Sequence, residues 1–189
     1  MRPAMATRYR FDPGLSRFTV QAFATGVLSF LGHSPTFAVR DFTGDVAFEG
    51  GTIDTMRLEL TVRAASLELL DNVRPPDRRE IEGTMRGEVL ETAAHPEVRF
   101  VSEEVAGAPV AQGQYRARIA GRLALHGVTQ PHAVNAEVLL FADGLRLRGE
   151  SLLRLSDYRI PPVTALGGTI RLKDELKVAF NLAGLPEGT

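Results

Sequence analysis

The 189-residue chain has no cysteine and no tryptophan. Without thiols it can form no disulfide, thiol nucleophile, zinc knuckle or iron–sulfur cluster. Lysine occurs only at Lys173 and Lys177, so arginine supplies nearly all of the 22 basic groups. Arginine suits forked pairing with carboxylates, but its excess names no function. With 23 acidic residues the net charge is −1, and no bulk field draws the chain to nucleic acid or to an anionic membrane. No window approaches the ~20 consecutive apolar residues of a membrane-spanning helix. The opening residues Met1 to Arg10 carry charge without the apolar run of a secretion leader, so a cytoplasmic location is expected. Catalytic signatures are also sparse. There is no Gly-x-Ser-x-Gly elbow, and neither Gly50-Gly51 nor Gly167-Gly168 has the flanks of a phosphate loop.

What the chain does have is alternation. Apolar and polar residues alternate over Leu15–Ala24, Met56–Leu67, Tyr115–Leu125, His132–Phe141 and Leu145–Leu155, the period of half-buried strands. Phe37 and Val39 share one parity, while Phe42, Val46 and Phe48 share the other, which predicts a bulge near Asp41. Asp12-Pro13-Gly14 reads as a turn before the first strand, Gly107 to Gly113 as a loop, and Gly127-Val128-Thr129-Gln130-Pro131 as a hairpin turn. One segment departs from the period of two. Ile81, Met85 and Val89 recur every four residues, predicting a short helix capped by Asp77, with Glu80 reaching back. Gly83 and Gly87 each weaken it by about 1 kcal/mol, so it must pack on the sheet. Ser156 to Gly168 reads as a long loop.

About eight strands with short turns predict an all-β fold: one domain over 1–189, an antiparallel barrel over 8–183 with one short helix packed on it, and frayed termini. Such a barrel is either filled by its own side chains or holds one small ligand. Small inward residues (Ala22, Ala64, Ala117, Gly121, Ala136, Gly149 and Ser151) favour a cavity over a flattened, packed interior. Exposed strand edges would favour a homodimer.

Four separated blocks are similar to the YceI family. They are Tyr9-x-Phe11-Asp12-Pro13-x-x-Ser16; Glu88-Val89-Leu90-x4-His95-Pro96-x-Val98-x-Phe100; Gly121-x-Leu123-x-Leu125-x-Gly127-Val128-Thr129-x-Pro131; and Arg154-x-Ser156-Asp157-Tyr158-x-Ile160. The resemblance spans roughly Tyr9 to Ala183. It implies a lipocalin-like barrel and, by analogy with members that hold a polyisoprenoid, an elongated apolar tunnel. Many members are secreted. Tyr9 stands where the family usually has Trp, Leu15-Ser16 where it has His-Ser, and Arg159 where a glycine is common.

The first expectation is therefore non-enzymatic binding, transport or sequestration of an isoprenoid or other long-chain amphiphile, with no cofactor. Phe18, Val20, Phe37, Phe42, Leu60, Val62, Phe100, Ile119, Leu123, Val134, Leu147 and Leu153 would line the cavity. His33 and the Arg154–Tyr158 pair would meet a polar head, the arginine gripping a phosphate or phenolate. The alternatives are an enzyme using His33 with Asp41 or the Arg154–Tyr158 cluster, and a packed module without a ligand. No metal site is expected. His126 and His132 flank one turn and read as hairpin-end histidines facing water, and His95 as exposed or capping.

Overall fold

The computed structural model describes residues 6–25, 34–49, 52–165, 167–168 and 170–187. In chain order the elements are β1 (Thr7–Thr25), β2 (Thr36–Val39), β3 (Phe42–Phe48), β4 (Arg57–Arg63), β5 (Leu67–Leu69), α1 (Pro75–Thr84), β6 (Glu97–Ala111), β7 (Gln114–Leu125), β8 (Val128–Phe141), β9 (Gly144–Arg154), β10 (Thr164–Ala165) and β11 (Ile170–Pro186). Strands β1, β3, β4, β6, β7, β8, β9 and β11 form an antiparallel ring of eight, closed where β1 pairs with β11. Closure removes most free edges from the ring, and the first half of β8, before Asn135, is left without a partner on its β9 side. No described helix is long and apolar enough to cross a membrane.

The strands are longer and more bent than their alternation implies. Asp12-Pro13-Gly14 is not a turn before the barrel but an irregularity inside β1. There Gly14 donates its N–H to the Asp12 carboxylate at 2.7 Å and the Ser16 hydroxyl donates to the Asp12 carbonyl at 2.6 Å. Pairing with β11 lapses after Asp12↔Ala183 and resumes at Arg17↔Asn181. The expected break near Asp41 is present: β2 and β3 are separated by Arg40 and Asp41, and Val39 and Phe42 both stay buried across it. Ser66 fixes this kink by accepting the Asp41 N–H at 3.0 Å. Gly107 to Gly113 is likewise mostly strand. Gly107 lies beneath Ile53, 2.4 Å from where a Cβ would reach it, and only Gln112 and Gly113 separate β6 from β7.

The β7–β8 connection is tighter than expected. Its turn is His126-Gly127, with φ of 51° and 73°, the two left-handed positions of a type I′ hairpin. Leu125 pairs directly with Val128, so Val128 to Pro131 already belong to β8. Pro131 is tolerated because β8 pairs with β9 only from Asn135 onward. Its missing N–H therefore costs no ladder bond.

Helix α1 begins at Pro75, whose fixed φ suits the first helical position. Asp77 does not cap it. Instead Asp77 sits in the first turn, favourable for the helix dipole, and accepts a bond from Arg74 at 2.8 Å. The helix runs on into a π-type turn, Met85–Val89, closed by the Leu90 N–H donating to the Met85 carbonyl at 2.9 Å. The stripe Ile81, Met85, Val89 faces inward as predicted, while Gly83 and Gly87 face solvent. Three polar side chains dock the helix onto the unpaired edge of β5. Glu82 accepts the Leu69 N–H at 3.0 Å, Arg86 donates to the Leu67 carbonyl at 3.2 Å, and Arg78 donates to the carbonyls of Leu69 and Asp71. The helix thus covers a strand edge that would otherwise be open.

Candidate functional site: a cavity under the helix

The barrel is solid at one end and hollow at the other. At the solid end Val46, Met56 and Val138 are fully buried, packed with Phe11, Phe48, Ile53, Val105 and Leu145. The ring of Tyr9 stacks on Phe48 at 5.7 Å. The other end holds a partly open cavity of about 650 Å³, within the ~300–1,000 Å³ typical of small-ligand sites. The second half of β1, β2, β4, β5, the first part of β6, the later part of β7, the first half of β8, β9 and most of β11 wall it, with α1 and its π-type turn as a cover.

Eleven of the expected wall residues line this cavity: Phe18, Val20, Phe37, Leu60, Val62, Phe100, Ile119, Leu123, Val134, Leu147 and Leu153. Phe42 does not. It is buried behind Phe18, edge-on to its ring at 5.6 Å, and so supports the wall. The small residues are not what opens the space, as the sequence suggests. Ala117, Ala136 and Gly149 pair across neighbouring strands, and the Phe180 ring lies against Gly149. Of the small inward set only Ala22 and Ser151 touch the cavity. Phe18, Phe37, Phe100 and Phe180 line this end without filling it, and the helix covers it. Ile81, Met85, Val89 and Leu90 are the lining residues that strand periodicity could not reveal.

The polar expectations fare differently. His33 lies outside the described residues. Arg154 is exposed and does not line the cavity, and Tyr158 is buried beside the barrel in a short 3-10 turn, Leu155–Tyr158. They border an outer depression with Gln130, Pro131 and Asp157, which shares His132 and Leu153 with the cavity. Burial pushes the Tyr158 hydroxyl pKa up, which opposes any role as a phenolate. Asp41 is on the outer face, paired with Arg63 at 2.8 Å, so it cannot serve a catalytic group inside.

His132 is half-buried rather than exposed, and it borders both the cavity and the outer depression. Its Nε2 lies 2.6 Å from the Ser151 hydroxyl. This contact spans the gap where β8 and β9 have ceased to pair, and just outside it Gln130 donates to the Asp157 carbonyl at 3.2 Å. Burial holds the His132 pKa below its ordinary value. The imidazole is therefore neutral at pH 7. The remaining polar lining groups, Thr25, Asp71, Asn72, Asp77 and Thr84, lie on strand β1, at the foot of β5 and on the helix. No arginine or lysine occurs among the described lining residues.

A family model described as a YceI-like domain matches residues 9–183. None of the curated proteins matches the chain in sequence. Among solved structures the fold is similar to Burkholderia cenocepacia BcnA, with a TM-score of 0.69 and 17% identity over 92% of this chain and 98% of that one. It is also similar to a polyisoprenoid binding domain from Saccharophagus degradans implicated in plant cell wall breakdown, with a TM-score of 0.65 and 15% identity over 98% and 100% of the two chains. A Campylobacter jejuni YceI protein gives a TM-score of 0.60 and 13% identity over 80% and 84%.

Proposed function

The chain belongs to the YceI-like domain family, and from that premise we propose that it binds a neutral isoprenoid or similar long-chain amphiphile and carries or sequesters it without chemical change. The observation that supports this most is the apolar cavity beneath α1. Burying a hydrocarbon chain there gains about 0.8 kcal/mol per CH₂, without requiring specific contacts. The structural neighbour described as a polyisoprenoid binding domain favours the same ligand class.

Size and charge narrow the guest. At ~30 Å³ for a water-sized group, a cavity of about 650 Å³ accommodates on the order of 20 carbons. That matches four isoprene units, and a longer chain would have to protrude. The lining's charged residues, Asp71 and Asp77, are both acidic, which disfavours a phosphate or carboxylate end. A hydroxyl or quinone-type carbonyl could instead bond to the His132–Ser151 pair. Binding is favoured over turnover because no partner orients Nδ1 of His132 among the described residues, whereas a Ser–His pair in an acyl-transfer enzyme has such a third group.

A chain-length series tests the reading. Prenols of 10, 15, 20 and 40 carbons, and the diphosphate of the C20 prenol, compete against an apolar fluorescent probe on delipidated protein. Affinity is expected to rise to about C20 and then level off, with the diphosphate weaker than the alcohol. A diphosphate that binds better would overturn the assignment of the polar end. Failure of every prenol to compete would overturn the carrier reading.

A further inference from the structure

A second polar cluster lies outside the cavity, where three segments separated in sequence converge. Glu91 directly follows the cavity-lining Leu90, His95 precedes β6, and His126 occupies the tip of the β7–β8 hairpin. One potential ligand atom from each of the three lies within 4.8 Å of the other two, the only such group of three among the described residues. The rings of His95 and His126 are 4.7 Å apart, inclined at 57°. Gly127 makes this approach possible, because a Cβ there would come within 2.9 Å of the His95 ring.

The hydrogen bonding selects the nitrogen that would act as a ligand. Nδ1 of His126 lies 3.3 Å from the Tyr158 carbonyl. A carbonyl only accepts, so Nδ1 carries the proton and the Nε2 lone pair points away from it. That lone pair faces the Glu91 carboxylate at 2.5 Å, and the imidazole side chain is only 11% exposed. Two acceptors do not rest at this distance unless a proton or a metal cation lies between them. A ring Nδ1–H held by a backbone carbonyl is also the outer-shell arrangement that orients metal-bound histidines.

We propose that Glu91, His95 and His126 form a binding site for a divalent transition-metal ion of the zinc class, with water completing its coordination. Two imidazoles and one carboxylate suit zinc, cobalt, nickel or copper, and not calcium or magnesium. In a tetrahedral site with bonds near 2.0–2.1 Å the ligand atoms stand about 3.3 Å apart. Admitting the ion therefore requires the Glu91–His126 contact to open by under about 1 Å, for which the Glu91 side chain is half-exposed, and any ligand atoms standing near 4.8 Å apart to close in. Glu91 and His126 both hold left-handed backbone angles, φ of 44° and 51°. A bound ion would tie the end of the helical cover to the barrel wall.

The test uses untagged full-length protein stripped with a chelator. Zinc titration by calorimetry should give one site tighter than about 10 µM, and cobalt should give the visible absorption of a tetrahedral complex. Zinc should also raise the Tm. His95→Ala should weaken zinc by at least about 100-fold. Glu91→Asn, which tolerates the left-handed backbone, should do the same while remaining folded. His132→Ala, in the cavity, should leave zinc affinity unchanged. No uptake of zinc at 100-fold higher concentration, or equal affinity in the Glu91→Asn protein, would overturn the site and leave a proton shared between Glu91 and His126.

Discussion

Filling the cavity from its wall should stabilise the empty protein and exclude its guest. Val134 sits on β8, faces the cavity and pairs with Ile119. Val134→Phe adds four carbons, and at about 0.8 kcal/mol per buried carbon the gain is at most ~3 kcal/mol. Part of that is lost in ordering the larger side chain, so a net gain of about 1 kcal/mol is expected, in the usual range for cavity filling. In a chain of this size that raises the Tm by about 2–4 °C. The control is Val138→Phe, four residues along the same strand and the same face. Val138 is fully buried and does not touch the cavity, so the same four carbons should cost about 1–3 kcal/mol through overpacking. Thermal melts must use delipidated protein, because a bound guest stabilises the wild type by mass action. Competition with a C20 prenol then reads out binding, which should be lost in Val134→Phe. Equal destabilisation by both substitutions, or full guest affinity in Val134→Phe, would refute the division into a solid and a hollow end.

Three further outcomes follow from particular contacts. Burial lowers the His132 pKa, so below about pH 6.5 the unfolded chain takes up a proton that the folded one resists, and stability falls as the pH drops. His132→Gln, which can keep the bond to Ser151, should lose less stability between pH 7 and pH 5 than the wild type. Parallel pH profiles would contradict this. Glu82→Ala strands the Leu69 N–H and removes one of the two partners of Arg86, at a cost of about 1–3 kcal/mol. Glu82→Gln, which keeps an acceptor, should cost less than half as much in denaturant melts. Arg159 holds φ of 58°, a left-handed angle that burdens a side chain by about 1–2 kcal/mol. Arg159→Gly should therefore raise stability in the same melts by up to about 1 kcal/mol.

The ring of strands was legible because alternation of period two survives in β4, β7 and β9, and the stripe Ile81, Met85, Val89 was legible as a helix. Strand ends were not. Asp12-Pro13-Gly14 and Gly107 have turn chemistry locally, yet pairing with distant strands keeps both in the ladder. The apolar lining could be read from parity, but which end is hollow could not. That depends on Ala117, Ala136, Gly149 and Phe180 meeting side by side across four strands. The polar groups were the least legible. His132 is placed by strand parity and by the loss of β8–β9 pairing beyond Asn135, and Arg154 with Tyr158 is carried outside by the 3-10 turn between them. Glu91 and His126 lie 35 residues apart and meet only through the barrel's register.

Native mass spectrometry of gently purified protein tests the central claim most directly. The account predicts a co-purified neutral hydrophobe of about 20 carbons, released on denaturation and excluded by Val134→Phe. A bare polypeptide mass, both as purified and after incubation with a C20 prenol, would contradict it.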